Sequence, residues 1–236
     1  MKFSFIIPTG GGEHLDTVIH YILEAVPAEN LEIILVGNTS YDHPNIINIP
    51  FDDTVKSKAW ITRKKNLGAQ AAKFENLVFM HDYIVPNPDN WYDGWLSFGD
   101  NYEVAGNVVL TMEGKRHSDW VACSYDLWLA APELKDNYDV LLPYNVKGMN
   151  DVMYMSGNYW VAKKDFMLAH PLDESLVWGD AEDIEWSRRA RNHTEFKINT
   201  HSSVHLIKPG KWAPAFLSQY GYEKLHSYFG VTPYYD

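Results

Sequence analysis

The chain has 236 residues, a single cysteine, a formal net charge of -11 and 46% apolar residues. That length suffices for one large α/β domain or two small ones with a sizeable core, and the negative balance argues against a nucleic-acid partner held on a broad basic surface. One cysteine, Cys123, excludes an intramolecular disulfide and points to a reducing compartment.

No apolar run reaches the roughly 18 residues that cross a bilayer. The opening MKFSFIIPTGGG is broken by Pro8 and Gly10 too soon for a signal peptide. A soluble, cytoplasmic protein is therefore expected, without an integral membrane segment. Nine Trp and fifteen Tyr are available to fill cores or to stack on the C–H faces of sugars, and composition does not choose between the two.

Residues 2–8 (KFSFIIP) read as a strand ending in Thr9, Gly10, Gly11 and Gly12, a turn whose backbone can lie close to a ligand. From Glu13 the period becomes helical: Leu15, Val18, Ile19, Ile22, Leu23 and Val26 share a face, and Pro27 closes it. Residues 31–36 (LEIILV) form a second strand, breaking at Gly37, Asn38, Thr39 and Ser40. Strand, helix, strand predicts parallel pairing through a right-handed crossover. The glycine triplet lacks the GxGxxG spacing of a dinucleotide fingerprint.

A short strand at 46–49 precedes Phe51, Asp52 and Asp53. Residues 59–74 (AWITRKKNLGAQAAKF) then read as a helix with a basic cluster, Arg63, Lys64 and Lys65, followed by small residues that allow close packing on a sheet. The cations form either a solvated face or a contact to a phosphate or nucleobase. Residues 77–80 (LVFM) are too few for a helix and read as a buried parallel strand, stopping at His81, Asp82 and Tyr83. Ligands of open α/β sheets bind at the carboxyl ends of strands. Asp82 and His81 either serve such a site, with Asp82 beside a divalent metal, or are a turn cap and a surface histidine.

Past Pro86 the chain turns into a short helix (WYDGWLSFG) with Asp89 or Asn90 as its cap, and residues 103–112 (EVAGNVVLTM) are a further strand. Residues 113–150 mix periods and read as an irregular or helical insertion. Residues 152–163 (VMYMSGNYWVAK) are a strand interrupted at Ser156, Gly157 and Asn158, where the glycine marks a bulge or a close backbone approach.

Residues 177–191 (VWGDAEDIEWSRRAR) predict a helix from Ala181, capped by Asp180, with Trp178 and Gly179 delivering the chain into it. Asp180, Glu182, Asp183 and Glu185 crowd its positive end. Dipole stabilisation accounts for such a cluster; the functional alternative makes Asp183 a general base, with Glu182 or Glu185 orienting an acceptor. Residues 200–208 (THSSVHLIK) have strand character and carry His201 and His205. An imidazole there either completes the coordination of a metal beside Asp82 or is a hydrogen-bonded surface group. The aromatic tail beyond Pro209 is expected to fold against the domain.

In this order the pieces resemble the GT-A glycosyltransferases, particularly the family-2-like inverting enzymes and, over 177–191, the galactosyltransferase and N-acetylgalactosaminyltransferase pattern. The resemblance covers most of the chain except 113–150. FSFIIPT is similar to the family's first strand and nucleotide loop, and KKNLGAQAA to its RNxGxxxA helix with Lys65 in place of arginine. FMHDY occupies the position of the DxD motif. WGDAEDIEWSRR is similar to the WGxED segment that supplies the acceptor contact and base, and VHLIK to the late metal-binding histidine. There are two departures: HDY keeps only one acid, and the second strand ends GNTS where the family commonly has an acid contacting base or ribose.

The resemblance implies an α/β, GT-A (Rossmann-like) fold with a mixed, mostly parallel central sheet flanked by helices. It implies a single domain over 1–236, with about 1–105 as the nucleotide-binding half and about 106–236 as the acceptor-binding half. The implied activity is metal-dependent, inverting transfer of a sugar from a nucleoside diphosphate, UDP favoured, to a hydroxyl of a glycan or other acceptor, as in polysaccharide biosynthesis. Pro8, Thr9, Gly10, Asn38, Lys65, Asn66, His81, Asp82 and Gly157 are then expected to bind the nucleotide-sugar. Trp178, Gly179 and Glu182 would contact the acceptor, Asp183 and Glu182 would serve catalysis, and Asp82 with His205 would hold Mn2+ or Mg2+. Two other classes are alternatives. A sugar nucleotidyltransferase calls for a basic residue after the first-strand glycines, where GGGEH has an acid. A non-catalytic carbohydrate-binding protein needs the aromatic surface but no metal–diphosphate site.

Overall fold

All six residues of β1 (Phe3–Pro8) and of β2 (Leu31–Val36) are buried, as parallel strands covered on both faces must be. In the computed structural model, residues 1–130, 132, 139–146 and 149–208 and the strand Ala215–Phe216 are described. With helix α1 (Leu15–Ala25) as the crossover, β1 pairs in parallel with β2, and β2 with the edge strand β3 (Ile46–Ile49). Helix α2 (Ile61–Ala71) then returns the chain to β4 (Asn76–Met80), parallel to β1 on its other side.

The remainder completes a mixed sheet. Strand β5 (Ile84–Pro86), helix α3 (Trp91–Phe98) and strand β6 (Val104–Thr111) come next. Within 113–150 lie β7 (Val121–Ala122), α4 (Ser124–Ala130) and β8 (Val140–Leu141). Then follow β9 (Met153–Tyr154), β10 (Tyr159–Lys163), α5 (Lys164–Ala169), α6 (Glu182–Ala190), β11 (Lys197–Leu206) and β12 (Ala215–Phe216). The large sheet runs β3-β2-β1-β4-β10-β6-β11-β5, and a small one β12-β8-β7-β9. Strand β10 is antiparallel to both β4 and β6, while β11 is parallel to β6 and antiparallel to β5. The fold is thus α/β with a large, mostly parallel sheet flanked by helices.

Alternation along β1 builds two cores. Phe3, Phe5 and Ile7 face Leu15, Val18 and Ile22 of α1 and Trp91 and Trp95 of α3, whereas Ile6 faces Ala69 of α2 on the opposite side. On that second side Trp160 of β10 is sandwiched between Phe79 of β4 (centroids 4.0 Å apart) and Trp186 of α6 (4.4 Å). Among the described residues no helix is long and apolar enough to cross a membrane.

Several local expectations change. The interrupted strand at 152–163 is two strands, β9 and β10, separated by the turn at Ser156, Gly157 and Asn158. Asp180 does not cap α6: the cap position is Ala181, in the left-handed region at φ 58°. The Asp180 carboxylate instead accepts the Val177 N–H (3.1 Å) and faces Lys58 (3.2 Å). Asn90 sits at the cap position of α3, but its side-chain oxygen is taken by the N–H and hydroxyl of Ser203, both at 3.0 Å. The expectation of an irregular or helical insertion over 113–150 missed the two-residue strands, which are too short to show a period. Apart from β12, the expectation for the aromatic tail lies outside the described residues.

The small residues of α2 do bring it hard against the sheet: a Cβ on Gly68 would lie 2.3 Å from the Ile6 Cγ2 methyl. Alanine in place of a mid-helix glycine ordinarily gains about 1 kcal/mol. Here Gly68→Ala is expected to destabilise by about 1–3 kcal/mol through overpacking, measured by urea unfolding; a gain in stability would show that helix and sheet are not in close contact.

Candidate functional site

Strands β1 and β4 end side by side at the same edge, and their first residues beyond the sheet meet there. The Thr9 hydroxyl donates to Asp82 Oδ2 (2.7 Å) and accepts the Gly11 N–H (3.0 Å). The Thr9 backbone is held from both directions: its N–H donates to Val36 O (3.1 Å), and its carbonyl accepts from Lys64 Nζ (3.0 Å). Asp82 is thereby fixed on the floor of a cavity of about 1000 Å³ whose walls include Pro8, Thr9, Gly10, His81 and Trp178.

The charge of this cavity differs from that of the chain. Among the described residues it is lined by Lys56, Lys58, Lys64 and Lys208, against Asp53 and Asp82, in a protein of net charge -11. Lys64 pairs with Asp53 (2.7 Å) and Lys58 with Asp180 (3.2 Å), while Lys56 Nζ donates to the carbonyls of Glu174 and Ser175. A concave surface with surplus cations suits a polyanionic ligand. His81 adds no charge: burial, then the Lys65 and Lys208 ammoniums, push its imidazole down to about 3. The neutral ring stacks on Tyr83 with centroids 5.0 Å apart and planes 9° from parallel. Burial and the Asp82 charge push Tyr83 up to about 12.

The turn between β9 and β10 forms the far wall. The His81 N–H donates to Asn158 O (3.1 Å), and the Tyr83 hydroxyl to Asn158 Oδ1 (3.2 Å). On its other side the Gly157 N–H donates to Asp183 Oδ2 (2.7 Å), and Lys65 Nζ donates to Gly157 O (3.0 Å). A Cβ on Gly157 would lie 3.2 Å from Asp183 Oδ2, closer than side chains ordinarily pack. Burial, then the Asp183 charge, push Glu182 above the usual carboxylate range. Helix α6 is anchored behind them by the buried Trp186 indole, whose N–H donates to His170 O (2.7 Å), and by Ser187, which accepts the Met155 N–H.

The structure gathers some expected residues and separates others. Pro8, Thr9, Gly10, His81, Asp82 and Trp178 line the cavity. Lys65, Gly157, Glu182 and Asp183 form a second group around Gly157, the residue preceding the cavity-lining Asn158. Asn66 turns away, its amide spent on the N–H and carbonyl of Leu172 (3.0 and 2.9 Å). Asn38 and Gly179 are exposed, and neither lines the cavity. His201 is exposed at the irregularity of β11, and His205 pairs with Val85 inside the sheet rather than lining the cavity. Sequence reasoning did not single out Lys56, Lys58 and Asn158. The two acids followed by two lysines after β3 and the polar break after β9 were the available signals.

A divalent cation fits this donor set in one way. Among the described residues no three His, Cys, Asp or Glu side chains converge as a ready-made metal site. Mg2+-like ions, however, are commonly held by one or two carboxylates together with substrate phosphates, and Asp82 supplies such a carboxylate on the cavity floor.

No protein-family model and no curated protein matches the chain. Solved structures do. A crystal structure of GalNAc-T7 with UDP, GalNAc and Mn2+ superposes with a TM-score of 0.64 at 14% identity, over 91% of this chain and 45% of that one. The 1–349 fragment of TarS from S. aureus gives 0.59 at 14% identity, over 86% and 60%. The same fragment in complex with UDP gives 0.55 at 13%, over 87% and 60%. This chain thus spans less than two thirds of the length of those proteins. What they share with it is the GT-A fold.

Proposed function

We propose that this chain is a glycosyltransferase that moves a sugar from a nucleoside diphosphate, UDP favoured, to a hydroxyl of a glycan or other acceptor, with inversion. The observation that carries this is one lysine-rich cavity at the ends of β1 and β4, lined by Asp82 and Asn158, with the Asp183 carboxylate held by the N–H of Gly157, the residue next to Asn158. The GT-A fold, and the UDP and Mn2+ in neighbours of that fold, support the donor class. The single buried free cysteine, Cys123, supports a reducing, cytoplasmic setting.

In this reading residues 1–105 supply the nucleotide-binding half and residues 106–236 the acceptor-binding half. Pro8, Thr9, Gly10 and His81 cradle the nucleotide, the lysines face its diphosphate, and Trp178 with Gly179 and Glu182 meets the acceptor. Asp82 would hold Mn2+ or Mg2+ together with diphosphate oxygens; when bound, the ion offsets charge on the leaving diphosphate. Asp183 takes the proton from the acceptor hydroxyl as that oxygen bonds to the anomeric carbon and the bond to the diphosphate breaks, its electrons leaving with UDP. Glu182, harder to ionise than an ordinary carboxylate, orients the acceptor by hydrogen bonding.

Asp183→Asn is expected to lower transfer by about 10²- to 10⁴-fold while UDP affinity stays near wild type; initial rates and calorimetry read the two, and unchanged turnover would remove Asp183 from the role. UDP titrated with and without Mn2+ is expected to bind more tightly with the ion, and Asp82→Ala to abolish that difference. No UDP binding under either condition would favour a carbohydrate-binding protein instead.

A further inference from the structure

Lys65 occupies a position expected to face the nucleotide, yet its ammonium does not line the cavity. It is buried, and Nζ donates to the Gly157 carbonyl at 3.0 Å. The N–H of the same glycine donates to Asp183 Oδ2 at 2.7 Å. One residue therefore carries both contacts: the lysine holds its carbonyl and the carboxylate receives its N–H. The Gly157 Cα faces the same carboxylate, since a Cβ there would lie 3.2 Å from Oδ2. Burying a lysine in an apolar wall is costly unless it is paired, and Trp160 stands 6.0 Å from Nζ. Burial pushes the ammonium down, while the Glu182 and Asp183 charges pull it back up.

We infer that Lys65 is a positioning residue for Asp183, acting through Gly157 to aim an N–H at the carboxylate. The inference rests on the assignment of Asp183 as the proton acceptor. The neighbouring Asn158 carbonyl accepts the His81 N–H, so the same turn that Lys65 grips is tied to the strand end carrying Asp82. Position 65 thus fixes the base relative to the donor site without touching either substrate. The groups that face Asp183 are Lys65 from α2, Glu182 from its own helix and Tyr154 from β9. Tyr154 is held well above its ordinary value by burial, then by Asp139 and Asp183, so it stays neutral at physiological pH. Removing Lys65 takes away the one cation of this set and loosens the N–H donor, and both changes favour the protonated carboxyl.

The test is carboxyl titration by 13C NMR of the full chain, with Asp183→Asn identifying the resonance, run beside pH–rate profiles. In Lys65→Met the Asp183 carboxyl is expected to titrate about one pH unit higher, and the acidic limb of kcat to move with it. kcat should fall roughly 10²-fold through misplacement of the base, while KM for the donor changes by less than about threefold because no substrate contact is lost. Lys65→Arg keeps a cation and a donor and should restore the limb. If Lys65→Met fails to fold, Gly157→Ala serves: it leaves the lysine in place, crowds Asp183 from the same residue and should shift the titration in the same direction. Turnover with an unmoved carboxyl titration and limb overturns the inference. A shifted titration in a protein without turnover upholds the Lys65–Gly157–Asp183 linkage and defeats the transferase reading alone.

Discussion

The stack of Phe79, Trp160 and Trp186 fixes where the acidic helix lies. Phe79 belongs to the strand that delivers Asp82, and Trp186 lies three residues beyond Asp183. Offset ring pairs contribute about 0.5–1.5 kcal/mol each beyond their area burial, and a rigid bicyclic ring cannot refill a displaced position as a flexible chain can. Asp82 and Asp183 are therefore both referenced to one aromatic spacer in β10. Hydrogen bonds of the Gly157 and Asn158 turn refine a separation that this packing has already set.

Charge is partitioned between two groups. The cavity carries surplus lysine and a neutral imidazole, conditions that favour an anion; the group around Gly157 carries two carboxylates and one buried ammonium. Burial, then the neighbouring Asp183 charge, make Glu182 harder to ionise than an ordinary carboxylate. Divided roles for adjacent carboxylates follow from unequal environments rather than from residue type.

The sheet was legible because its strands read as short apolar runs: 31–36, buried throughout, and the partly exposed edge strand 46–49 match their strands to the residue. The convergence of Thr9 and Asp82 was legible too, since parallel strands must end at one edge. Direction of side chains was not. Lys64 and Lys65 are adjacent in sequence, but about 100° apart on a helix; only Lys64 lines the cavity, and nothing in the sequence of α2 says which face would. Asn66 was drawn toward the loop at Leu172 by a partner over a hundred residues away. Asp180 looked like a cap because caps are local, whereas its competing partner, Lys58, comes from a distant loop.

Two walls of the cavity come from segments far apart in sequence, 56–63 and 174–180, and they are laced together. Lys56 and the Trp60 indole both donate to Glu174 O, the Thr62 hydroxyl to Leu176 O, and the Trp178 N–H to Ala59 O, while Arg63 pairs with Glu174 and Lys58 with Asp180. Neither segment can flap independently without breaking several of these bonds at once. Admission of a ligand therefore demands either a mouth that is already wide enough or a rigid-body swing of both segments about their roots in α2 and α6. In that second case the Arg63–Glu174 and Lys58–Asp180 pairs travel with the two segments unbroken.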